Sequence, residues 1–346
     1  MNPAVEPQNI LVVQTAFLGD VILTLPLVQS LKASLPEAEI DMLVIPKTAD
    51  SLRNNRSLRS VLVFDKRGAD SGLGGLIRLS RSIRGKNYDT AFIPHRSLRS
   101  AALARFAGIP RRIGFYTSAG RFFLTDVIEY ESTAHEIDRN LNLLNVVGIP
   151  PALSQFPELD PSPSDREAVD RFLQKSGVAA GGKLIAIAPG TVWNTKRWPP
   201  ERFASLAEQL VGKGLRVVVV GGEEDSRLLT PFLSPESVPR VVVAAGQLSI
   251  LQSAELIRRC RALVCNDSAP MHLAVAVRTP VVAIFGATVP EFGFAPIGER
   301  DVVLETKGLP CRPCSIHGGD VCPVKTFVCM LDIPVGRVVE AVEKLL

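Results

Sequence analysis

The strongest constraint in this chain is an alternation of short apolar runs with helical patterns, which proceeds, stops at a proline-rich stretch and then starts again. Runs at 10–14, 40–45, 61–64 and 90–93 are apolar at mostly consecutive positions, and helical patterns at 20–34, 76–84, 97–107 and 137–146 accompany them. A strand apolar on both faces belongs in a parallel sheet covered on two sides, because each crossover lays a helix on a face. Residues 148–164 carry five prolines and no periodicity, which predicts an interdomain linker. The alternation resumes with strands at 184–188, 216–220, 241–244, 262–265 and 281–285, and helices at 201–213, 226–233, 249–259 and 270–277. A last helix at 335–346 follows a segment rich in Pro and Cys. The expected fold is therefore α/β, with two Rossmann-like parallel-sheet domains, 1–164 and 165–346, facing a central cleft. The last helix is placed in the second domain, with an option to pack back toward the first.

Composition narrows the setting. No stretch reaches the roughly 20 apolar residues of a membrane span. The start, MNPAVEPQN, has neither the charged nor the apolar region of a signal peptide. Six cysteines in such a chain are expected as reduced thiols in the cytoplasm. The net charge of +4 conceals an asymmetry: residues 47–121 hold 16 Lys/Arg against 4 Asp/Glu, a net of +12, so the remainder carries −8. Such a segment suits an anionic partner, whether phosphorylated lipid, membrane surface or nucleic acid, or else forms a solvated face paired with acids elsewhere. A nucleic-acid binder using 47–121 is the non-enzymatic alternative, but only 6% of residues are aromatic and neither a stacking strand nor a recognition helix is visible, so no nucleic acid is expected.

In open parallel sheets ligands bind beyond the carboxyl ends of the strands, so the strand-to-helix turns hold the candidate site residues. The first turn, TAFLGD at 15–20, has one glycine and is no dinucleotide fingerprint. Asp20 reads there either as an N-cap or as a general base for an acceptor hydroxyl. The second turn, APGTVWNTKRWP, offers Gly190 for close backbone approach, the Thr191 hydroxyl and the mobile charge of Lys196 to a diphosphate. Trp198 is expected to pack this loop down. In the third turn, GGEED, Glu223 and Glu224 are candidates for a ribose hydroxyl or simply complement a helix N-terminus. In the fourth, CNDSAPMH, Asp267, Ser268 and Ala269 precede a helix opened by Pro270, and His272 lies in its first turn.

These turns, with LGDVILTLPLVQSLK near the start and APMHLAVAVRTPVVAIFG later, resemble glycosyltransferase family 9, the ADP-heptose:lipopolysaccharide heptosyltransferases, over nearly the whole chain. The chain departs from the family pattern at Ala269, usually Gly, and at Met271. The resemblance implies a GT-B fold, inverting metal-independent transfer with no required cofactor, and an ADP-sugar donor held mainly by the second domain. By position, Asp20 matches the catalytic base, Lys196 the phosphate-contacting lysine, Asp267, Ser268 and His272 the donor loop, and Glu223 or Glu224 the ribose acid. Arg121, in TSAGRF, resembles an acceptor-side arginine. The implied partners are ADP-heptose and a phosphorylated Kdo–lipid A acceptor met at the cytoplasmic face of the inner membrane, in lipopolysaccharide core biosynthesis. A GT-B UDP-sugar epimerase, or a transferase of another sugar, is the rival enzymatic reading. Cys311, Cys314, Cys322 and Cys329 are spaced C-x2-C-x7-C-x6-C with His317 among them. They read as reduced structural thiols or as a tetrahedral zinc site, and similar cysteines favour the second-heptose branch of the family.

Overall fold

The computed structural model describes residues 6–150, 156–178, 183–233 and 241–346, so the start of the chain and part of the expected linker (151–155) lie outside the described residues. The chain divides into two units, Met1–Asp160 and Pro161–Leu346. In the first, β1 (Asn9–Val13), β2 (Glu39–Val44), β3 (Ser60–Val63), β4 (Thr90–Ile93), β5 (Arg111–Phe115) and β6 (Asp126–Ile128) form one sheet in the order β3-β2-β1-β4-β5-β6. In the second, β7 (Leu184–Ala188), β8 (Arg216–Val219), β9 (Val241–Val243), β10 (Ala262–Asn266), β11 (Val281–Phe285) and β12 (Val302–Glu305) run in the order β12-β11-β10-β7-β8-β9. Every pairing is parallel. Counted from its own first strand, each sheet has the same doubly wound order. The winding reverses between β1 and β4 in one unit and between β7 and β10 in the other, which opens a crevice at the carboxyl ends of those strands.

The helices are α1 (Leu18–Ser34), α2 (Gly72–Arg84), α3 (Leu98–Phe106), α4 (Glu136–Asn142), α5 (Pro163–Lys175), α6 (Pro200–Gly212), α7 (Ile250–Arg258), α8 (Ala269–Ala276), α9 (Val328–Leu331) and α10 (Val335–Glu343). The central strands β1, β4, β7, β10 and β11 are buried along almost their whole length, as two covered faces require. In the second unit Trp198 is fully buried at the heart of the core, edge-on to Phe203 at 4.9 Å, while Val338, Val339 and Val342 bring α10 into the same core. Among the described residues no helix is long and apolar enough to cross a membrane.

Three strands were not foreseen from the pattern. β5 opens on two arginines, β6 is three residues opening on Asp126, and β12 is four residues ending on Glu305. The helix expected at 226–233 is instead two 3-10 turns, Glu223–Leu228 and Thr230–Leu233. Pro231 lacks the N–H that a continuing α-helix would need and crowds the carbonyl four residues back. α5 starts inside the proline-rich stretch: Ser162 Oγ accepts from Asp165 N–H at 3.2 Å while Asp165 accepts from Ser162 N–H at 2.9 Å, and Pro163 fills the first helical position.

One polar cluster is sealed under the first sheet. Asp41 on β2 is fully buried, accepts from Arg59 Nε at 2.9 Å and Nη2 at 2.7 Å, and accepts from the Tyr88 hydroxyl. Against the raising effect of burial, these donors hold its carboxyl below the usual range. Tyr88→Phe removes one donor and keeps the ring, so it should cost about 1.5–3 kcal/mol in urea denaturation, the range for a hydrogen bond to a charge.

Candidate functional site

In the first unit the crevice lies where β1 and β4 end. Thr15 follows β1; its Oγ1 lies 2.9 Å from His95 Nδ1 and 3.2 Å from Ser100 Oγ, and His95 and Ser100 are 3.0 Å apart. Lys66 Nζ donates to the Thr15 carbonyl at 2.7 Å. Burial first, then Lys66 and Arg96, pull the His95 ring down to about 4, so at neutral pH it is uncharged and serves as a hydrogen-bonding spacer.

Asp20 lies in the first turn of α1. It is not the N-cap. Phe17 occupies that place, and the Asp20 carboxylate accepts from Phe17 N–H at 3.2 Å, reaching back from the third helical position. Burial pushes its carboxyl up to about 6, with the negative charge of Glu136 adding to the rise and Arg96 opposing it. Glu136, buried at the start of α4, is held by Arg139 Nη1 at 2.9 Å and by the Tyr130 hydroxyl at 2.8 Å. The guanidinium carbons of Arg96 and Arg139 lie 4.0 and 4.6 Å from the centre of the Tyr130 ring. A carboxylate with this poise is ionised at neutral pH and still basic enough to accept a hydroxyl proton. Arg121 stacks on Tyr116 at 4.7 Å and lines a shallow hollow of about 550 Å³ with Thr117, Ser118 and Phe122.

In the second unit the loop after β7 folds over the end of β10. Asn266 ties the two together: its Oδ1 accepts from Trp198 N–H and its Nδ2 donates to the Pro189 carbonyl, both at 2.9 Å. The next residue, Asp267, makes a 2.6 Å ion pair with Lys196 Nζ and accepts from Thr288 Oγ1 at 2.7 Å. Lys196 is thus held at the start of α8 by the Asp267 carboxylate. Ser268 is the N-cap of α8 in extended conformation, and its hydroxyl donates to the Asn266 carbonyl at 3.3 Å instead of capping the helix. Ala269 begins the helix and is not among the residues with positive φ, so the family's glycine is not demanded by the backbone. His272 is buried in the first turn.

Thr191 passes its carbonyl to Arg197 Nη2 at 2.7 Å, and Arg197 Nη1 donates to Asn194 Oδ1 at 2.8 Å, which stiffens the loop carrying Lys196. The acid that Gly190 abuts is Asp225. A Cβ there would collide with the carboxylate of Asp225, which accepts from Gly222 N–H at 3.0 Å, whereas Glu223 and Glu224 are exposed. Burial raises the Asp225 carboxyl. The sequence reading therefore missed Asp225, Asn266 and Thr288 in this unit and His95 and Glu136 in the other. Asp225 and Asn266 belong to turns already singled out, His95 follows β4 directly, and Thr288 closes the G-x-T that follows β11, so position after a strand was the available signal; Glu136 had none.

All six cysteines are free thiols, and among the described residues no three His, Cys, Asp or Glu side chains are placed to hold a metal ion. Cys329 is packed into the apolar core, and Cys314 Sγ donates to the Cys311 carbonyl at 3.4 Å.

Residues 76–320, well over half the chain, match the model of glycosyltransferase family 9 (heptosyltransferase). The chain is similar to lipopolysaccharide heptosyltransferase 2 of Escherichia coli K12, with 28% identity over 82% of this chain and 84% of that one. Among solved structures it resembles a family 9 glycosyl transferase from Veillonella parvula DSM 2008, with TM-score 0.88, 26% identity and coverage of 98% and 97%. It also resembles E. coli ADP-heptose LPS heptosyltransferase II, with TM-score 0.81, 26% identity and 98% coverage of each chain.

Proposed function

Because the chain belongs to glycosyltransferase family 9, the heptosyltransferases, we propose that it transfers heptose from ADP-heptose to a Kdo- or heptose-bearing lipid A acceptor in lipopolysaccharide core assembly. The observation that carries this reading is the Lys196–Asp267–Thr288 cluster at the opening of α8, in the crevice between β7 and β10, where a doubly wound sheet binds an anion. Family membership favours transfer over the UDP-sugar epimerase and nucleic-acid readings.

Asp20 takes the proton of the acceptor hydroxyl as that oxygen bonds the anomeric carbon from the face opposite the diphosphate. The bond from the anomeric carbon to the diphosphate oxygen breaks, its electron pair leaves with ADP, and the configuration inverts. Lys196 and the N–H groups opening α8 meet the charge that develops on the departing diphosphate. Gly190, Thr191, Ser268, Ala269 and His272 line the donor loop, and Glu223 or Glu224 takes the ribose hydroxyls. Arg121 and the basic segment 47–121 receive the acceptor's phosphates at the cytoplasmic membrane surface. Purified protein given ADP-heptose and heptosyl-Kdo–lipid A should release ADP and yield a product heavier by one heptose, unaffected by EDTA. ADP release with UDP- or GDP-sugars but not ADP-heptose would refute the donor assignment.

A further inference from the structure

The strongest unexplained feature is the cysteine-rich segment 311–329, which grips the donor loop from outside it. We infer that this segment is a strap that positions Lys196, acting through Gly318, Gly319 and Thr195, and so sets the affinity for the donor diphosphate. The inference rests on the donor reading above and deepens it.

The contacts run to both members of the Lys196–Asp267 pair. On the lysine side, buried Thr195 makes two bonds to Gly319: its N–H donates to the Gly319 carbonyl at 2.9 Å, and its Oγ1 accepts from Gly319 N–H at 2.8 Å. Gly318 has φ +84°, and a Cβ there would stand 2.9 Å from Lys196 Cγ, 3.0 Å from Cδ and 3.1 Å from Thr195 Oγ1. Glycine is required twice, by the left-handed backbone and by the aliphatic stem of Lys196 lying against it. Ser315 fixes that turn, donating to the Gly318 carbonyl and accepting from Gly318 N–H, both at 2.9 Å. On the aspartate side, Arg312 donates to the carbonyls of Gly286 at 2.6 Å and Thr288 at 2.8 Å, and pairs with Glu305 at 2.6 Å. Thr288 is the residue whose hydroxyl reaches Asp267. Cys314 N–H adds a bond to the Ala287 carbonyl at 2.9 Å. One segment therefore restrains the stem of the lysine and the support of its carboxylate partner.

The physical consequence concerns entropy. A free lysine stem samples many rotamers, and one already packed loses less of that freedom when the ammonium meets phosphate. Thr195, Gly318 and Gly319 touch no reacting atom; they are positioning residues.

The test is ADP titration calorimetry on the full chain, with thermal melting as a check that each variant folds. Gly318→Ala and Thr195→Val should each weaken ADP binding about tenfold, the size of one charge-assisted contact, whereas Thr195→Ser, which keeps the Oγ, should bind like the parent. In a Lys196→Ala background, Gly318→Ala should add no further loss, because the group it positions is gone. Unchanged ADP affinity in folded Gly318→Ala and Thr195→Val, or an equal further loss in the Lys196→Ala background, would overturn the strap. Failure of the parent protein to bind ADP at all would instead overturn the donor reading, and the strap's role with it.

Discussion

Asp20→Asn is expected to lower kcat by about 10³-fold, within the span for loss of a general base, while ADP affinity stays within about twofold. The amide keeps the volume and the acceptor oxygen facing Phe17 N–H but cannot take a proton. In the parent enzyme the acid limb of kcat/KM should fall near pH 6, since Asp20 works only when ionised and its carboxyl is pushed up to about 6. Glu136→Gln removes the charge that contributes to that rise, so the limb should move to lower pH without loss of the plateau. Stability should run against activity. A carboxyl raised on folding favours the folded state below its unfolded value of 3.8 and loses that contribution as pH rises through about 6. Asp20→Asn should then be more stable than the parent at pH 8, on the order of 1–2 kcal/mol after allowing for solvent access to a half-buried group, and the gain should disappear below about pH 4. Parent-like turnover in Asp20→Asn would remove Asp20 from the reaction.

Lys196→Ala should lower kcat/KM by about 10²–10³-fold, the loss usual when a group aimed at developing charge is deleted. The effect differs from that of Asp20: ADP binding should weaken as well, since the ammonium meets the diphosphate before and after transfer. Deletion also takes the counter-ion at 2.6 Å from the buried Asp267 carboxylate, which keeps its bond from the Thr288 hydroxyl, so an anion approaching α8 meets net repulsion. Lys196→Arg keeps the charge on a planar, differently shaped head and should recover only part of the activity. Steady-state ADP release, with calorimetric ADP binding alongside, separates the two effects. A lysine variant with unchanged ADP affinity would move the diphosphate away from Asp267.

Much of the fold was legible because its signals are local. The apolar strands, the glycine-bearing turns after them and Pro270 at the head of α8 lie within a few residues of the structure they specify. Illegible elements were those whose local signal is weak or contradictory, such as β5 with its paired arginines or α5, whose cap hides among prolines. The candidate site divides in the same way. Asp20, Lys196 and Asp267 sit in turns that advertise themselves, and the structure shows Lys196 and Asp267 joined.

By itself the sequence determined that two parallel α/β units would form, where their turns would fall and which family they belong to, because periodicity and turn chemistry act over short spans of chain. Only the tertiary structure decided strand order, and with it the two crevices. It also decided that Asp225 faces Gly190, that burial and then the charge of Glu136 raise the Asp20 carboxyl, and that residues 311–329 reach Thr195 and the stem of Lys196. Those outcomes join residues far apart in the chain, and which of many polar side chains meets another across such distances is settled by packing and burial, not by any local pattern.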